Sequence, residues 1–127
     1  MYKNQPNFAK NRLHLLLEGK IEKAEMILWS DDLLSKLKKL SPGFTVISEI
    51  LNCQPATEEV RQILLGTQKK VKELGLGDAV RIVAKNNYVT AAQWQRSSRS
   101  VGYIAKEAES VEAAEKLLDG MEKNKTN

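Results

Sequence analysis

The chain has 127 residues, a length that fits one domain with a hydrophobic core of its own. Its 42% hydrophobic and 28% charged residues are typical of a globular protein and argue against the disordered and membrane classes. The formal charge of +4 comes largely from lysines at predicted helix ends, where the helix dipole favours cations, so it is weak support for nucleic-acid binding.

The N-terminal part begins with a polar stretch and continues into a strand and a helix. Residues 1–11 include Pro6 and show no sustained period, which predicts a loose lead-in or a short edge strand. Leucines at alternate positions predict a strand over 12–18. Trp29 falls off the apolar stripe of the next helix, and we interpret it as packing over a sheet edge, with an exposed docking patch as the alternative. That helix is predicted over 22–40 from a stripe of Met26, Ile27, Ser30, Leu33, Leu34, Leu37 and Leu40.

The centre of the chain carries the clearest pattern. Residues 44–51 are rich in branched apolar side chains and follow a Pro-Gly pair, which predicts a central strand. Thr57 is a good N-cap, and Glu58 and Glu59 place negative charge at the positive end of a helix. The sequence therefore predicts a helix from Glu58 that ends at Gly75.

The remaining elements alternate in the same way. Residues 78–84 are apolar on both sides, which predicts a strand covered from two directions. Thr90 is the predicted cap of a helix that ends near Val101, and residues 103–106 form a predicted edge strand. Ser110 is the predicted cap of a last helix, and residues 122–127 form a predicted polar tail. The inner stripes of these two helices are Ala91, Trp94, Ser98 and Val101 in the first, and Val111, Ala114, Leu117, Leu118 and Met121 in the second.

This order of elements predicts the fold class. Strand and helix alternate four times over residues 12–121, with short connections. Such alternation is typical of a mostly parallel sheet with right-handed crossovers. We expect an α/β protein with a single βαβαβαβα domain, built on a four- or five-stranded sheet with flanking helices.

The segment Glu49-Ile50-Leu51-Asn52-Cys53-Gln54-Pro55-Ala56-Thr57-Glu58, with the β/α alternation over 12–120, resembles the STAS-type domains, the anti-sigma-factor antagonists and their relatives. The resemblance implies partner binding around this loop and helix start, and in the antagonists a phosphorylatable serine preceded by aspartate. That pair would fall near Thr57-Glu58, so the acceptor serine is absent and we expect the phosphorylation switch to be missing. The chain also resembles small uncharacterised bacterial α/β proteins that share the outer pattern without the switch motif.

Residues able to carry catalysis are sparse. The sequence has one histidine, His14, and lacks a nucleophile motif, a phosphate-binding glycine loop and a His/Cys metal set, so we expect no enzyme activity, cofactor or metal. Cys53 is interpreted as a small apolar residue of a loop, and a reactive thiol near a helix N-terminus is the alternative. The single cysteine, together with the absence of a leader or a long apolar run, predicts a cytoplasmic protein.

Three functional hypotheses remain. The favoured one is a non-catalytic protein-interaction or regulatory module that binds a protein partner or a second copy of itself. A second is a binder of a small anionic or lipid-like ligand that contacts Arg81, Arg96 or Arg99. Weak nucleic-acid binding comes third. The candidate binding residues are Cys53, Gln54, Thr57, Glu58, Trp94, Arg96 and Arg99.

Overall fold

A computed structural model describes residues 1–125, and its five strands form one sheet in the order β1-β2-β3-β4-β5. β1 runs antiparallel to β2, and β2 through β5 run parallel. The predicted α/β class with a mostly parallel sheet is confirmed. A 3₁₀ turn (Lys85–Asn87) precedes the third of four α-helices, and the elements are β1 (Tyr2–Asn7), β2 (Arg12–Leu17), α1 (Lys23–Leu37), β3 (Thr45–Glu49), α2 (Glu58–Glu73), β4 (Ala79–Ile82), α3 (Tyr88–Ser100), β5 (Lys106–Ala108) and α4 (Val111–Lys125).

The two faces of the sheet are covered differently. Because the parallel strands follow one another in chain order, right-handed crossovers place α1, α2 and α3 on the same face. There the β2 leucines and Val46 pack against Trp29, Leu64 and Trp94. On the opposite face α4 covers a smaller cluster of Ile47, Val80, Ile82, Ala114 and Leu118. β4 is buried on both sides, as its two-sided apolar pattern predicts.

The strand, loop and helix at the centre of the chain form as predicted. β3 is the middle strand of the sheet. The Thr57 hydroxyl accepts a hydrogen bond from the backbone N–H of Val60 at 3.5 Å, and α2 begins at Glu58. Gly75 follows the end of α2 with φ +110°, and a Cβ there would lie 2.9 Å from Cβ of Pro42. Only glycine fits this position without strain.

The first part of the chain decides between two alternatives and corrects one expectation. Tyr2–Asn7 form an edge strand, β1, which is one of the two alternatives predicted for residues 1–11. Trp29 is 1% exposed and packs in the core, whereas Ile27, assigned to the inner stripe, is 41% exposed. The buried stripe of α1 therefore runs through Met26, Trp29, Leu33 and Leu37. Packing over the sheet is confirmed for Trp29, and the exposed-patch alternative is wrong.

The C-terminal part shifts three predicted boundaries. α3 begins at Tyr88, so Thr90 lies inside the helix and is not its cap. β5 lies at Lys106–Ala108, later than the predicted 103–106. α4 continues to Lys125, so the first four residues of the predicted polar tail are helical, and residues 126–127 lie outside the described residues. The Ser110 cap is present, since its hydroxyl accepts from the backbone N–H of Ala113 at 3.0 Å.

Candidate functional site

The loops that follow β3 and β4 meet at the carboxyl edge of the parallel sheet. They enclose an open cleft of about 440 Å³, lined by residues 51–55 and 85–90. Ligands and partners of parallel α/β sheets bind outside this edge, because the loops there are free of the sheet's own hydrogen bonding. This cleft is the first candidate site.

Side-chain hydrogen bonds from α3 hold the β3–α2 loop in place. The Thr90 hydroxyl donates to the backbone oxygen of Cys53 at 2.9 Å. Gln93 bonds both backbone groups of Ala56, accepting from its N–H at 2.7 Å and donating to its oxygen at 2.8 Å. From the other side, the Gly19 N–H donates to the oxygen of Asn52 at 2.8 Å. The loop is therefore tied to two neighbouring elements, which favours recognition by a pre-formed surface.

Cys53 lines this cleft but is a poor nucleophile. Its side chain is 9% exposed, and burial raises the pKa of its thiol to about 11. The fraction of reactive thiolate at neutral pH is then very small. Burial therefore favours the interpretation of Cys53 as a small apolar residue of the loop over the reactive-thiol alternative.

Thr57 and Glu58 are exposed at the start of α2, where both already have local partners. Thr57 serves as the helix cap. Glu58 accepts two hydrogen bonds from Arg61, at 2.8 and 2.9 Å, and one from Gln62 at 2.9 Å. Hydrogen bonds from Arg61 and then Gln62 lower the pKa of Glu58 to about 2. Both groups serve the helix start, while Gln54 is exposed and lines the cleft.

The three candidates on α3 separate into a core residue and two surface residues. Trp94 is 4% exposed, with its ring centroid 5.8 Å from that of Trp29. This burial corrects its assignment to a docking surface, since α3 turns Trp94 toward the sheet. Arg96 and Arg99 are exposed and line a second groove of about 270 Å³ with Tyr88 and Glu107.

Tyr88 is the feature that sequence reasoning missed. It lines the 440 Å³ cleft, the 270 Å³ groove and a third cleft of about 420 Å³ that also contacts Lys85 and Glu109. Tyr88 and Val89 are each 67% exposed. A signal was present, because these two large apolar residues have no place in the inner stripe of the helix that follows them.

The chain matches no protein-family model, no curated protein and no solved structure in the comparisons made with each. Within residues 1–125 no group of three His, Cys, Asp or Glu side chains could hold a metal ion. None of the helices in the same range has the length and apolar character needed to cross a membrane. The site is therefore interpreted from its own geometry.

Proposed function

We propose that the chain is a non-catalytic protein-interaction or regulatory module of STAS-like type that lacks the phosphorylatable serine. Its docking surface is the Tyr88 surface, which consists of Tyr88, Val89, Gln54 and Pro55. The five-stranded, mostly parallel sheet with its helices on both faces agrees with the sheet that the resemblance implies. The surface also includes part of the loop after β3, where the resemblance implies partner binding.

The observation that carries this proposal is the exposure of Tyr88 and Val89 beside the β3–α2 loop. Both side chains are two-thirds exposed although they belong to a well-formed helix. Tyrosine offers a large contact area at a small cost in conformational entropy, and it is enriched among residues that dominate binding energy. Apolar side chains next to a cleft at the carboxyl edge favour a protein partner.

Thr57 supports a surface that binds without a phosphorylation switch. Its hydroxyl caps α2, and phosphorylation would remove that cap. A phosphate there would also lie beside Glu58 and Glu59, whose charges oppose it. Binding of a partner is therefore expected not to depend on phosphorylation of Thr57.

The test is site-specific photocrosslinking in the native cells. A photoreactive phenylalanine analogue replaces Tyr88 in the full chain, and the matched control carries it at Phe8, an exposed aromatic residue in the β1–β2 turn. We expect a discrete crosslinked protein, either a partner or a second copy of the chain, from position 88 and none from position 8. The captured protein is then purified, and its affinity is measured by calorimetry against the wild-type chain.

Variants decide the outcome. Tyr88→Ser should weaken the measured affinity at least about tenfold, as expected for a central aromatic contact, and Phe8→Ser should change it less than about twofold. Equal crosslinking at the two positions, or an affinity that Tyr88→Ser leaves unchanged, would show that the Tyr88 surface does not dock a partner.

A further inference from the structure

A small cavity lies between the sheet and the three helices of its larger layer. The space open to the centre of a water-sized sphere is about 20 Å³, which is enough for a water molecule or a small ion. Leucines and valines form part of its wall, but polar side chains from three elements also contact it. These are Ser48 of β3, Thr67 and Gln68 of α2, and Arg81 of β4.

Three buried residues of this wall carry polar atoms that have no hydrogen-bond partner. They are Nε of Arg81, Nε1 of Trp29 and Oε1 of Gln68. The residues are only 3%, 1% and 3% exposed, so bulk water does not satisfy these atoms. A buried polar group without a partner costs about 1–3 kcal/mol, and such groups are rare in native proteins. Their position around one cavity indicates that something fills it.

The charge of Arg81 indicates which kind of group would fill the cavity. Burial lowers the pKa of Arg81 and the charge of Glu107, its neighbour on β5, opposes that shift, but among the described residues no carboxylate forms an ion pair with Arg81. Its contacts are the Gln95 side-chain oxygen at 2.9 Å and the face of Trp94, whose centroid is 5.9 Å from Cζ. A buried guanidinium normally pairs with an anion, because neutral partners compensate its lost hydration only in part.

Tyr103 adds a third donor and a route into the cavity. It lines the cavity from the α3–β5 connection and is partly exposed, as is Leu76, which lines the cavity from the α2–β4 connection. Burial raises the pKa of Tyr103 to about 12, which keeps its hydroxyl protonated at neutral pH. A protonated phenol carries a hydrogen that it can donate to an anion.

We propose that this cavity binds one small monovalent anion, of halide to formate size, held by Arg81, the Trp29 N–H and the Tyr103 hydroxyl. Gln68 Oε1 is an acceptor, and a water molecule that donates to both it and the anion would satisfy it. The site is independent of the Tyr88 surface, because Tyr103 and Leu76 place its opening at the amino end of the strands. Binding would stabilise the packing of α1, α2 and α3 on the sheet.

Chloride-35 line broadening tests the site on the full chain. The protein is titrated with sodium chloride in a chloride-free buffer, with sodium gluconate holding the ionic strength constant because gluconate is too large to enter. We expect a saturable excess line width that bromide and formate displace. Arg81→Met should abolish it, whereas Lys69→Met, which removes a charge on the exposed side of α2, should retain it.

Trp29→Phe is the second variant, should Arg81→Met fail to fold. It keeps an aromatic ring and removes the N–H, so chloride affinity should fall about tenfold for the loss of one hydrogen bond to a charged ligand. If the wild-type chain shows no saturable broadening, the cavity holds water only and the inference fails. Broadening that survives in Arg81→Met or is unchanged in Trp29→Phe would place chloride elsewhere and also overturn it.

Discussion

Arg12 and Arg81 are buried to nearly the same degree on opposite faces of one sheet, yet their surroundings differ. Arg12 is 1% exposed, and its guanidinium lies 2.6 Å from Glu115 and 3.0 Å from Asp119 of α4. Its Nε donates to the Thr45 hydroxyl at 3.1 Å. Arg81 is 3% exposed and lines a cavity, and its hydrogen-bond partner is the neutral Gln95, with the charge of Glu107 acting on it without an ion pair. Two residues of the same chemistry thus differ in whether a carboxylate contacts them directly.

The difference indicates two roles for a buried charge. On the Arg12 face the acids come from the last helix, so the ion pairs hold α4 against β2. On the Arg81 face the described residues supply no such partner, so the charge remains available to a ligand. Burial alone does not separate these roles, whereas the position of the nearest carboxylate does.

The largest expected effect comes from removing each guanidinium in turn. Arg12→Met should lower the free energy of unfolding by about 2–3 kcal/mol, because it breaks hydrogen-bonded ion pairs whose acids are themselves partly exposed. Arg81→Met should change it by less than about 1 kcal/mol, since relief of an unpaired buried charge offsets the lost contact with Trp94. Urea unfolding at pH 7 in chloride-free buffer measures both.

Gln95 makes the Arg81 expectation sharper. Its side-chain oxygen also accepts from Ser98 at 3.1 Å and from the backbone N–H of Ala105 at 3.2 Å, so it keeps partners when Arg81 is replaced.

Arg12→Lys serves as the control that keeps the charge and loses the planar fork. Equal losses for the two methionine variants would remove the distinction between the faces.

Sequence patterns predicted the parts of the fold that depend on local chemistry. The branched residues of β3, the Thr57 cap and the glycine after α2 each require one conformation, and each forms as expected. The predicted strand over 103–106 lies too early in the chain, because the apolar Ile104 was counted as a strand residue. Ile104 is 64% exposed and belongs to the segment that connects α3 to β5. The packing of Tyr103 over a cavity depends on elements distant in sequence, and no local pattern encodes it.

The second effect is a difference in acid stability between the wild-type chain and Arg12→Met. Hydrogen bonds from Lys10 and then Arg12 lower the pKa of Asp119 below its ordinary value. A lowered folded-state pKa contributes stability above the unfolded pKa, and that contribution disappears as the pH falls through the folded value. Below about pH 4 the wild-type chain should therefore lose more stability than Arg12→Met.

The wild-type chain and Arg12→Met must be measured side by side, because Glu58 also contributes to the loss of stability at low pH. Its pKa of about 2 gives a loss of the same sign in both proteins, so only the difference between their unfolding free energies reports the Arg12 face. Urea unfolding at pH 7 and at pH 3 measures that difference. Parallel losses in the two proteins would show that Arg12 does not act on Asp119.

The candidate site was only partly predictable, because the packing of elements distant in sequence is not encoded in local patterns. The predicted loop after β3 lines the candidate cleft, and Arg96 and Arg99 line the neighbouring groove, whereas Arg81 is buried. That any of these residues contacts a ligand or a partner stays a prediction. The apolar stripe placed Trp94 on the inner side of α3, where it is buried. The sequence could not show that Tyr88 borders three clefts, because that depends on how distant loops and β5 pack around the start of α3. It also could not show that Arg12 has three carboxylates within ion-pairing distance while Arg81 has none among the described residues, since the Arg12 partners come from the far end of the chain.

The smallest effect concerns the phenol next to Arg81. Burial raises the pKa of Tyr103 to about 12, and the Arg81 charge opposes that rise, so Arg81→Met should raise it further. In a background with Tyr2→Phe and Tyr88→Phe, Tyr103 is the remaining phenol, and its ionisation is read at 295 nm after a rapid jump to pH 11. About a tenth of it should ionise in the folded protein, and less in the Arg81→Met variant. A phenolate fraction in the variant that equals or exceeds that of the parent would show that the Arg81 charge does not lower the pKa of Tyr103.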